Sequence, residues 1–141
     1  MAEMTKSQLL DYFNEHVYYE MLMLRCAKQS LECGCTQLGW NVMFAAFNVS
    51  ARNLYDFLRN NGGRNNARLV DFRAYRTSQE KPEPDEIPGI LSLMNKQCFH
   101  MGKDRSKEED KKIGIEGIRT VFDWVVQNME KLMLSVARRS A

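Results

Sequence analysis

The chain has 141 residues, with 20 basic and 18 acidic side chains and a formal net charge of +2. This length suits one domain, 1–141, with a hydrophobic core of its own, and so small a net charge implies no partner by itself. The run from Val17 to Leu24 is interrupted by Glu20 and is far shorter than the roughly 20 apolar residues a membrane-spanning helix needs, so no membrane association is expected.

The N-terminus, Met-Ala-Glu-Met-Thr-Lys, has no basic region followed by an apolar one. The expectation is a chain without a signal peptide and a cytoplasmic location. Thr5-Lys-Ser-Gln8 is a capping-box pattern, in which hydroxyl and amide each satisfy a free backbone N–H. Leu10, Phe13, Val17, Met21, Leu24 and Leu31 follow at spacings of three, four and their sum. They predict one long amphipathic helix ending near Ser30 or Glu32. Gly34 and Gly39 bracket a predicted loop.

The second helix is marked by Trp40, Phe44, Phe47, Ala51, Leu54 and Leu58, spaced four, three, four, three, four. Asn61-Gly62-Gly63 supplies its stop, because glycine takes the left-handed cap conformation without strain. A shorter helix is predicted at about Asn66 to Arg76. Thr77 to Pro88 holds all three prolines and reads as a loop. Ile87, Leu91, Met94, Cys98 and Met101 form the next stripe, closed by Gly102. Ser106-Lys-Glu-Glu109 is a second capping box, and Ile118, Phe122, Val125, Met129, Leu132 and Val136 mark the last helix. Gly114 and Gly117 either weaken its first turns or permit close packing there. No strand-like alternation competes over a useful length. The fold class is all-α: an antiparallel four-helix bundle with one additional short helix.

Several chemistries lack their residues. Di-iron bundles need Glu-x-x-His pairs, and neither His16 nor His100 has a glutamate three residues before it. Neither a phosphate-binding glycine loop nor a nucleophile elbow occurs, and no cofactor or metal site is expected. Cys33-Gly-Cys35 lacks the second pair that a zinc site requires. Cys26 and Cys98 read as small hydrophobes at apolar helical positions. Five arginines between Arg59 and Arg76 form a basic run, answered by Glu80, Glu83, Asp85 and Glu86; it is either a phosphate-binding patch or a solvated, partly neutralised face.

Two groups of residues are candidates for a site. Glu20 stands among apolar neighbours, and Arg52 on the second helix is its expected partner. Asn48, Arg52 and Tyr55 share a face by their spacings of four and three. They form either an interhelical pair that sets register or a polar pocket in which Arg52 binds an anion and Glu20 orients it. His100 and Arg105 flank a tight joint between two helices. The histidine could move a proton near neutral pH and the arginine could stabilise a phosphate, unless both are ordinary helix-end residues.

Phe47-Asn-Val-Ser-Ala-Arg-Asn-Leu-Tyr-Asp-Phe57, then Asn95-Lys96 and His100 with Arg105, resembles small bacterial all-α proteins related to the HEPN domains. The resemblance is spread over most of the chain. It implies a helical bundle that often dimerises, binds RNA or nucleotides, and in many members cuts RNA without metal. There, a ribose 2′-OH attacks the neighbouring phosphate at a site lined by arginine and histidine from both subunits. The positions carried over are Arg52, His100 and Arg105 as catalytic, with Glu20, Asn48 and Tyr55 as binding residues. Two other functions stay open: a non-catalytic helical interaction module, homodimeric, and a bundle that binds a nucleotide or small molecule.

Overall fold

The computed structural model describes residues 4–34, 36–59, 83–99 and 113–140. These residues are all-helical, with no strand among them. The predicted short helix at 66–76, the stop at 61–63, the second capping box and the His100–Arg105 joint lie outside the described residues.

Helix α1 spans Lys6–Tyr12. Its capping box forms as expected: the Thr5 N–H donates to Gln8 Oε1 at 2.8 Å, and the Gln8 N–H donates to Thr5 Oγ1 at 3.2 Å. A π-helical segment, Phe13–Val17, joins α1 to α2, Tyr18–Cys33. The reason lies in the spacing. Leu9, Phe13, Val17 and Met21 are all buried, at three successive steps of four. In a regular α-helix those steps drift by roughly 120° in total. The wider π turns take up about one extra residue and return the stripe to a single face. Leu9 therefore takes the core position expected of Leu10, which is half-buried.

Gly34, at φ 83°, ends α2 in a conformation other residues resist. Thr36 then caps α3, Gln37–Leu58, its hydroxyl accepting from the Gly39 N–H at 3.1 Å. Gly39 thus belongs to the first turn of α3 rather than to the loop. Phe44, Phe47, Ala51 and Leu54 are buried as the spacing predicts, with Trp40 and Leu58 packed at the edges.

Helix α4 is Ile87–Phe99. Pro88 sits in its first turn, not in the preceding loop, because a first-turn N–H needs no helical acceptor. Ile87, Leu91 and Met94 are buried. The Gln97 side chain accepts from the Ile113 N–H at 2.9 Å, tying α4 to the start of α5, Ile115–Ser140. Gly117 serves close packing there: a Cβ at this position would lie 2.7 Å from Ile113 Cγ2. Ile118, Val121, Val125 and Met129 are sealed from solvent. Burial of each such side chain stabilises the fold by about 1.5–3 kcal/mol before entropic costs. The most extensive helix pairing is α2 with α3, and α4 and α5 pack against that pair.

Candidate interaction face

The described site residues do not share one environment. Glu20 is half-buried on α2 and accepts a hydrogen bond from Asn53 Nδ2 at 2.9 Å. The expected Glu20–Arg52 pair does not form. Asn53 lies one residue further, about 100° round the helix, on the side from which its amide reaches Glu20; Asn53 and Arg52 are both exposed. Asn48 is only 1 % exposed, and its Oδ1 has no hydrogen-bond partner. Tyr55 is half-buried, its ring 5.8 Å from that of Trp124. Burial first, and then the neighbouring Glu83 carboxylate, hold the Tyr55 hydroxyl above the usual phenol range.

His100 and Arg105 lie outside the described residues. His16 falls inside the π segment, exposed, with its ring 4.8 Å from that of Tyr12. Arg59, the first arginine of the basic run, pairs with Glu83 at 3.3 Å. One acid of the following acidic stretch therefore neutralises one base across the intervening segment. Cys26 is exposed, contrary to its expected core position, because it lies on the side of α2 opposite Leu24 and Leu31. Among the described residues, no group of three histidines, cysteines or carboxylates is placed to hold a metal ion, and no helix is long and apolar enough to cross a membrane.

A second pattern on α3 points outward. Leu38, Val42, Ala45 and Val49 are spaced four, three, four, the same spacing as the core stripe. Leu38 is 74 % exposed, Val42 54 % and Val49 47 %. Val49 follows Phe47 by two residues, about 200° round the helix, so the two stripes lie on opposite faces. From Gln37 to Ala51, α3 carries no charged side chain at all; Arg52 and Asp56 follow at the far end. Exposed Tyr18, Tyr19 and Leu22 add apolar surface on α2. This stripe has the same helical spacing in the sequence as the Trp40 to Leu58 stripe, and spacing alone does not tell the two apart.

The outward side of α2 facing α5 differs in kind. Arg25 pairs with Glu130, and Arg119 Nε lies 2.9 Å from Glu32 Oε1, which Lys28 approaches at 3.1 Å. Lys28 also stands 4.5 Å from the ring centroid of Phe122. Ion pairs close that seam against water-exposed partners within the chain. The outer face of α3 offers no acid, base or nucleophile between Gln37 and Ala51. What it can do chemically is lose water against another apolar surface. No family model, curated protein or solved structure matches the chain.

Proposed function

We propose that this chain is a non-catalytic helical interaction module that self-associates. The supporting observation is the outward apolar stripe of α3. A helix that is apolar on two opposite sides is one that gets covered on both. The core covers one side and leaves the other in water, at a cost that association removes. The helices are taken to form an antiparallel four-helix bundle. Two ion pairs support this arrangement: Arg25 meets Glu130, whereas Glu32, further along α2, meets Arg119, further back along α5. A cytoplasmic location accompanies this proposal, since a reducing compartment keeps Cys26 and Cys33 as free thiols.

The test is light scattering across micromolar protein concentrations. A mass rising to twice 16.4 kDa is expected. The double variant Val42→Lys with Val49→Lys is expected to stay at the single-chain mass with unchanged helical circular dichroism. A parent that remains a single chain at every concentration overturns self-association.

A second function, a HEPN-like protein that binds RNA or nucleotide phosphate and cuts RNA without metal, is favoured by one observation. Arg52 is exposed at the end of the stripe, where a phosphate can reach it. His100 and Arg105 would complete the site. Labelled RNA incubated with chelator separates the cases. Cleavage that falls in His100→Ala, Arg105→Ala and Arg52→Ala supports it; equal cleavage in parent and variants removes it.

A further inference from the structure

We draw no further inference here: the strongest candidate, the uncharged outer face of α3 running from Leu38 to Val49, is the surface on which the proposed self-association already rests, and nothing in the structure shows what covers it.

Discussion

The two sides of α3 carry the same spacing and meet opposite fates. Phe44, Phe47, Ala51 and Leu54 are buried; Leu38, Val42 and Val49 are exposed, with Ala45 half-buried between them. Periodicity alone therefore does not choose the core side of a helix. Size does. Each stripe has one leucine and one alanine, but the inner one adds two phenylalanines where the outer one adds two valines. Larger apolar side chains remove more area from water, so collapse selects the inner side. The smaller stripe is left over, and its burial waits for a partner.

The sharpest way to break this comparison is to truncate one side chain on each face. Phe47→Ala empties a site with no solvent exposure and is expected to destabilise the chain by about 3–5 kcal/mol. Val42→Ala is expected to stay within about 0.5 kcal/mol, as for other surface changes. Urea unfolding at submicromolar concentration, where association does not contribute, gives both values. A Val42→Ala loss approaching that of Phe47→Ala would mean that the outer stripe is already covered within one chain.

Most of the fold within the described residues was legible because its signals are local. Thr5 and Gln8 cap each other across three positions, and the Phe44 to Leu54 stripe needs only the helical repeat. The departures depend on longer range. Leu9 rather than Leu10 enters the core because a π segment shifts the register, and four-residue spacing in sequence does not announce where the wider turn falls. Gly39 and Pro88 read as loop residues by type, yet both sit in first turns: the Gly39 N–H is met by the Thr36 hydroxyl, and the Pro88 position needs no N–H donor. Glu20 chose Asn53 over Arg52 because the relative rotation of two packed helices decides which of two adjacent residues faces across. Cys26 reads as a small hydrophobe from its place near apolar helical positions, whereas its angular position on α2 sets it outside. The candidate site was less legible for the same reason: Asn48, Arg52 and Tyr55 share a sequence spacing but end respectively buried, exposed and half-buried. His100 and Arg105, the remaining part, lie outside the described residues.

Asn48 sharpens the comparison from the buried side. It is the polar residue nearest the boundary between the two stripes, and its amide oxygen is buried without a donor. Asn128 on α5 differs: its Nδ2 donates to the Trp124 carbonyl one turn back at 2.9 Å. Replacing Asn48 by leucine removes a desolvated acceptor and adds apolar contact. The expected change is a gain of about 1 kcal/mol, read as a raised urea midpoint at unchanged slope. Asn128→Leu is expected to lose stability instead, since it abolishes a formed hydrogen bond. A loss at Asn48 of the same size as at Asn128 would show that the Asn48 oxygen does have a donor, such as an internal water.

The smallest expected effect lies on the charged seam of α2, where exposed ion pairs contribute little. The hydrogen bond from Arg119, and then that from Lys28, holds the Glu32 carboxyl below the usual carboxylate range. A carboxyl whose folded pKa is depressed binds its proton more weakly folded than unfolded. Its contribution is therefore present above the unfolded value of about 4.3 and disappears as pH falls through the lower, folded value. Glu32→Gln removes this dependence. Parent minus variant stability, measured from pH 7 down to about pH 3, is expected to be flat and positive at neutral pH and then to shrink through the acid range. Added salt is expected to shrink it at pH 7 as well, because the pair faces water. The outer stripe of α3 has no titratable group between Gln37 and Ala51, so its self-association at pH 7 is expected to be the same in Glu32→Gln as in the parent. A dimer that dissociates along with the Glu32 titration would place the α2–α5 seam, rather than the neutral face of α3, between the two copies.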